Sequence, residues 1–249
     1  MQPFSPPRRL NKVWIMTRAQ MFAPCLAVAM LAWPAATEEA SYLSDSQIEL
    51  ASILPPPPPP DSLAAQEDFA AVLAAQDART PEESALAIAD FDISVFRFAS
   101  GLGKDFSKDK LPLTAALFRQ VLLDSLAPIV VAKEHFARPR PPQHSADVKP
   151  ILDFSSNDSY PSGHATVAHL YATLLARMFP EKSHELFARA DQYAYNRVVA
   201  GVHYPSDVHA GQIAAAVIAS NLLRDSRFLA DLDRATEEAR QFALPFDAQ

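Results

Sequence analysis

Cysteine is almost missing from this chain of 249 residues: Cys25 is the only one. It stands inside an apolar N-terminal stretch. The rest of the chain therefore has no thiol, which excludes a disulfide framework or a cysteine-held metal as its source of stability. Because Cys25 precedes most of that apolar run instead of ending it, a lipoprotein attachment site does not fit either. Glycine is scarce at five residues, and alternating β-branched runs are few, which argues against a sandwich or barrel. No cluster of residues shows metal-ligand spacing. Beyond the N-terminus, no run reads as long and apolar enough to cross a bilayer. Alanine abounds and proline reaches 22. With 49% apolar and 20% charged residues, the composition suits an ordinary globular protein and leans all-helical.

The N-terminus reads as an export leader. Arg8, Arg9, Lys12 and Arg18 precede an apolar run from Met21 to Trp33, followed by the small residues Ala35 and Ala36. That order is the one of a secretory signal peptide, with cleavage expected near Ala36 and a periplasmic destination. Met16 would open a more usual leader. Without residues 1–36 the chain loses four cations and no acids, leaving 18 Lys and Arg against 29 Asp and Glu, a net charge of −11. Such a surface excludes a nucleic-acid polymer or an anionic lipid as the main partner. No membrane association is expected after leader removal.

Six consecutive prolines, Pro55 to Pro60, force an extended polyproline II rod. Residues 37–61 read as an N-terminal arm carrying that rod, and residues 62–249 as a helical domain. The fold expected is all-α, a compact single-domain bundle. Helices are expected over 63–77, 85–98, 113–135, 163–178, 181–199, 206–223 and 227–243. Thr80-Pro81-Glu82-Glu83 is a start signal. Leu117, Val121, Leu122, Leu126, Ile129 and Val130 make one apolar stripe, interrupted by Pro128.

Three clusters carry chemistry. In Pro161-Ser162-Gly163-His164, Ser162 can cap a helix and Gly163 lets backbone approach a ligand. The unpaired first-turn N–H groups form a ready anion site, with His164 beside them. Taken alone, the tetrapeptide is equally a plain capped helix. Next come Asn196-Arg197, His203 and Asp207. Arg197 offers a bidentate fork. His203 precedes a helix that Ser206 can cap, and Asp207 in its first turn can accept Nδ1–H from His203, leaving Nε2 as a nucleophile. Lys133 and Arg140 end the long helix, where a point charge and a planar fork can together hold a tetrahedral anion. Arg138 reads as a solvated helix-end cation. His135, His144, His169, His184 and His209 read as structural.

In order, these clusters (Lys133…Arg140-Pro141, Pro161-Ser162-Gly163-His164, Asn196-Arg197…His203…Asp207) resemble the phosphatidic acid phosphatase type 2 superfamily, which includes vanadium haloperoxidases. The motif spacing matches throughout, with Asn196 where serine is usual. The leader, Leu54 before the proline run, Asp158-Ser159-Tyr160 and His203-Tyr204-Pro205-Ser206-Asp207 look like class A bacterial non-specific acid phosphatases, over residues 42–243. Asp158 stands where that class usually has glycine, and Ala165 where it often has threonine.

The resemblance implies a helical fold of the acid phosphatase/vanadium haloperoxidase type and a metal-independent, cofactor-free phosphatase acting on small phosphomonoesters, nucleotides among them, with phosphate or vanadate as pocket ligands. Lys133, Arg140, Ser162, Gly163 and Arg197 would bind phosphate. His203 would form a phosphohistidine, His164 would protonate the leaving group, and Asp207 would hold His203. Phosphotransfer to alcohols and a homo-oligomer are further implications. A vanadium haloperoxidase, a lipid phosphatase and a non-catalytic phosphate binder are the alternatives. The pocket walls are expected from loops 99–110 and 142–160.

Overall fold

The structure, a computed structural model, describes residues 41–43, 48–154 and 158–242. The expected leader over 1–36, with Met16 and Cys25, lies outside the described residues. So do parts of the expected arm. In chain order the described residues form α1 (Leu50–Ile53), α2 (Leu63–Ala78), α3 (Pro81–Ala89), α4 (Ala99–Leu102), α5 (Pro112–Phe136), α6 (Pro141–His144), α7 (Gly163–Met178), α8 (Ser183–Val199), α9 (Pro205–Leu222) and α10 (Ser226–Phe242). No strand occurs among them, and the fold is all-α.

Small side chains decide the centre. Helix α7 is buried from Ala165 through Ala172 and again at Leu174, Leu175 and Met178. It packs chiefly against α8 and α9. Ala210, Gly211, Ala214 and Ala215 line the buried face of α9. Gly211 is obligatory there: an added Cβ would lie 2.8 Å from the Ser162 carbonyl oxygen and 3.0 Å from the Thr166 nitrogen, both backbone atoms that cannot swing aside. Larger residues fill the space around this contact. Leu170 and Leu174 are fully buried, and truncating either to alanine would cost about 2–5 kcal/mol.

The local signals act where they were read, with four corrections. The Thr80 cap is a reciprocal box: its Oγ1 accepts from Glu83 N at 3.1 Å and Glu83 Oε2 accepts from Thr80 N at 2.9 Å. Yet α3 ends at Ala89 instead of running to Phe98, because Asp90 turns its carboxylate inward to Arg97, Arg189 and Asn196. Leu126 and Val130 do not belong to the core stripe of α5. Each is 45% exposed, while Leu117, Val121 and Ile129 are buried. The helix also continues through Pro128 to Phe136.

The third correction concerns length and hydropathy. The helical stretch Pro112–His144 holds an 18-residue window of mean hydropathy 1.6, enough by composition for a membrane span, with 44% of it buried. Its inward face carries Gln120, Asp124 and Lys133, and Glu238 of α10 caps its first turn through Leu113 N and Thr114 N. Fourth, Ser206 is not the cap of α9. The helix begins at Pro205, and Asp207, in its third position, accepts from Tyr204 N at 2.9 Å.

Candidate active site

Each candidate side chain sits at a helix end that the packing brings to one place. Ser162 caps α7, its Oγ accepting from Ala165 N at 3.4 Å. Its own N–H donates to the Asp207 carbonyl at 3.0 Å, tying the start of α7 to the first turn of α9. Helix α8 ends at Val199, and Gly201 turns the chain with φ +74°, a conformation that strains any L side chain, while an added Cβ would lie 3.2 Å from Val148. His203 follows from that turn. On the far side, Ala137 closes α5 in the left-handed region (φ 48°), delivering Arg138 and Arg140 to the same place.

The His203–Asp207 pair is fully enclosed. His203 Nδ1 lies 3.1 Å from Asp207 Oδ2, which also accepts from Ser159 Oγ at 2.5 Å and from Tyr204 N. With a carboxylate at Nδ1, that nitrogen carries the proton and Nε2 keeps its lone pair. Arg140 Nη1 stands 3.0 Å from Nε2 and donates to the Val202 carbonyl at 2.8 Å. Burial pushes the His203 imidazole down to about 3, against the Asp207 hydrogen bond, with Arg140 and Lys133 adding to the fall. Burial works to raise Asp207, but the His203 hydrogen bond and the Arg138 charge hold it at about 2.

His164 faces this pair across a cavity of about 60 Å³ lined by Phe91, Arg140, Leu152, Asp153, Phe154, His164, Arg197, Val202 and His203. Its ring stacks on Phe91 at 5.8 Å and on Tyr193 at 6.4 Å. Nε2 donates to the Phe91 carbonyl at 3.1 Å, so Nδ1 is the nitrogen left for a ligand. Burial, then the Arg197 charge, lowers the ring to about 4. Arg197 is 1% exposed, and its Nη2 donates to the Ala87 carbonyl. Its Nε is buried without a partner. Burial brings the guanidinium down to about 10. A desolvated cation on a cavity wall can gain partners from an anion that enters there.

Lys133 and Asn196 find partners within the protein. Lys133 is 5% exposed and spends its ammonium on the Asp158 carbonyl at 2.5 Å and the Ser159 carbonyl at 3.2 Å, outside the cavity lining. Burial and the neighbouring Arg140 lower it to about 7. Asn196 turns away from the cavity and donates to Asp90 Oδ2 at 2.7 Å. Gly163 is under no packing pressure, since a Cβ there would meet only Ile129 at 3.8 Å. Of the loops expected as walls, 152–154 line the cavity; no residue of 99–110 does, and Phe91 stands there instead.

Several partners escaped the sequence reading. Arg138, taken for a solvated cation, donates to Asp207 Oδ1 and Ser206 Oγ at 2.7 Å each and to Asp68 Oδ2 at 2.9 Å. Ser159 bonds Asp207, and Asp90 organises the segment that holds His164. His169 bonds the Ala165 carbonyl and Asp191, and none of the five remaining histidines lines the cavity. Among the described residues no three His, Asp or Glu side chains converge as a metal cluster would.

Comparison with known proteins finds relatives in sequence and in fold. An acid phosphatase of Zymomonas mobilis subsp. mobilis is 32% identical over 162 residues, covering 62% of this chain and 61% of that protein. A non-specific acid phosphatase of Salmonella typhimurium is 30% identical over 159 residues, covering 60% and 63%. The chain thus spans about three fifths of the length of these curated relatives. A bacterial vanadium-dependent iodoperoxidase superposes with a TM-score of 0.56 at 18% identity, over 71% of this chain and 53% of that one, a likeness of fold. Residues 110–228 match the PAP2 superfamily model, from the start of α5 to the start of α10. By this match, residues 110–228 form a PAP2 superfamily domain.

Proposed function

We propose that the protein is an acid phosphatase that hydrolyses small phosphomonoesters, nucleotides included, through a phosphohistidine on His203. The observation that carries this reading is the arrangement around the cavity: a neutral His203 with Nε2 turned to Arg140, His164 opposite, and Arg197 with an unsatisfied donor. Arg140, Arg197 and the N–H groups of the first turn after Ser162 and Gly163 would surround the phosphoryl oxygens. Lys133, with its ammonium on the 158–159 carbonyls, would contribute its charge to the same cradle and hold the loop. Such fixed donors stabilise charge in the transition state without reorganising.

His203 Nε2 attacks phosphorus in line as the P–O ester bond breaks, and the leaving alkoxide takes a proton from His164 Nδ1. Water then attacks phosphorus, the P–N bond breaks, and His164 accepts the water proton. Burial, then the charges of Arg197, Arg140 and Lys133, hold His164 down. A bound phosphate dianion offsets those charges and so favours the protonated acid that the first step requires. Asp207 stabilises the cationic ring that forms on phosphorylation.

Ordering of the chain as a leader (1–36), an arm (37–61) and a catalytic domain (62–249), export to the periplasm, phosphotransfer to alcohols and homo-oligomerisation belong to the same proposal; the relatives named acid phosphatase support its hydrolytic part. The test is hydrolysis of an aryl phosphate from about pH 4 to 8, which brackets the second phosphate pKa near 6. It is run with EDTA, by the protein and by His203→Ala. EDTA-resistant turnover lost in the variant supports the reading, and turnover unchanged by His203→Ala sinks it.

A further inference from the structure

Asp68 lies on α2, well before the matched segment 110–228, and it is 7% exposed. Both of its oxygens are occupied. Oδ1 accepts from Ser206 N at 3.0 Å, and Oδ2 accepts from Ser206 Oγ and from Arg138 Nη2 at 2.9 Å. Arg138 reaches onward from the same guanidinium, giving Nη1 to Ser206 Oγ and to Asp207 Oδ1. Its plane rests over the Tyr204 ring, 4.0 Å from the centroid. Asp68, Ser206 and Arg138 thus close a ring of hydrogen bonds whose one outward bond lands on Asp207.

That bond has leverage. Asp207 Oδ2 is taken up by His203 Nδ1, Ser159 Oγ and Tyr204 N, while Arg138 donates to Oδ1. A carboxylate turns as one rigid plane, so the place of Arg138 sets the angle at which Oδ2 meets the imidazole. The imidazole in turn aims Nε2. Arg138 has a long side chain with many rotamers, and burial alone does not choose among them. The carboxylate of Asp68 does choose, by holding the other prong of the fork.

We propose that Asp68 is a positioning residue of this site, acting through Arg138 to orient the Asp207 carboxylate and, with it, His203. The inference rests on the reading of His203 as the nucleophile. It assigns to α2, outside the matched domain, a part in the chemistry rather than in packing alone.

A double-variant cycle tests it, using steady-state hydrolysis of an aryl phosphate by the full chain, Asp68→Asn, Arg138→Gln and the combination, with His203→Ala alongside. Asp68→Asn is expected to lower kcat ~10-fold, the scale for outer partners that orient a reacting group, with KM changed less than about 2-fold. Arg138→Gln is expected to lower kcat further. The combination should lie within about 2-fold of Arg138→Gln alone, since one residue acts through the other. Asp68→Glu, which keeps the charge, should recover part of the loss. If Asp68→Asn does not fold, Asp68→Glu takes its place in the cycle, with a smaller loss of kcat and the same absence of any further loss when combined with Arg138→Gln. Multiplying losses, an unchanged kcat, or a rise in KM without loss of kcat would overturn the proposal. Additive losses with an inactive His203→Ala overturn this inference alone, whereas full activity of His203→Ala overturns the reading beneath it as well.

Discussion

The backbone N–H of Ser162 donates to the carbonyl of Asp207 at 3.0 Å. This bond links the cap of α7, which carries His164, to the first turn of α9, whose Asp207 holds His203. The contact exists because Gly211, one turn along α9, lets the two helices approach to backbone distance.

Gly211→Ala is therefore expected to harm both stability and turnover. Its Cβ would press on the Ser162 carbonyl and on Ala165, at 2.8 and 2.9 Å. Overpacking of this kind costs about 1–3 kcal/mol. A thermal melt read together with kcat would check it: lower stability with unchanged kcat would show that the helices separate without disturbing the site.

Asp207→Asn tests the pair directly. An amide can present its NH2 to His203 Nδ1 and favour the wrong tautomer, and it removes the charge that steadies the ring. Loss of kcat on the order of 10⁴-fold is expected, from the behaviour of carboxylates that orient catalytic histidines. KM should move little. A proton NMR signal for the His203 Nδ1–H, present in the parent and lost in the variant, would report the tautomer independently.

Arg197→Met separates stability from function. The guanidinium is buried with an unpartnered Nε, so removing its charge relieves a desolvation cost whenever no anion is bound. The variant should melt at or above the parent temperature in phosphate-free buffer. Inhibition by inorganic phosphate or vanadate should weaken ~10–100-fold, the worth of one hydrogen bond to a charged group at about 1.5–3 kcal/mol. Equal inhibition of parent and variant would remove Arg197 from the cradle.

The pH dependence of stability has a definite sign. His164 falls to about 4 and His203 to about 3 in the folded protein, from an ordinary 6.5. Between those values and 6.5 the unfolded chain binds more protons, so stability falls as pH drops through that window. Asp207, lowered to about 2 from 3.8, extends the loss further into acid. Lys133, lowered to about 7 from 10.5, makes stability rise with pH from 7 upward. Melting temperatures of the ligand-free protein should thus climb from pH 4 to pH 8, and a maximum near pH 5 would contradict these assignments. Saturating phosphate should lift the acid end by about 2.7 kcal/mol at a hundredfold excess over Kd.

What was legible beforehand follows from range. A Ser before a Gly-His helix start, or a His four residues ahead of an Asp, meets its partner within one turn, where backbone geometry leaves few choices. The ends of α7, the Thr80–Glu83 box and the His203–Asp207 pair were readable for that reason. Asn196 and Lys133 were not, because their nearest motif neighbour is not their partner: one turns to Asp90 and the other to carbonyls 25 and 26 residues on. The exposed side of α5 was misread because several equally apolar stripes wrap that helix, and only its neighbours select one.

By itself the amino-acid sequence determined that the protein is helical, where most helices begin, and which short motifs could meet an anion, because propensity, caps and spacing act over a few residues. Tertiary structure alone decided which charges would share a site. Arg138 became a partner of Asp207, and Asp68 reached it across 70 residues of chain. Desolvated charges must find partners wherever packing leaves them, and that packing is set by the whole core at once.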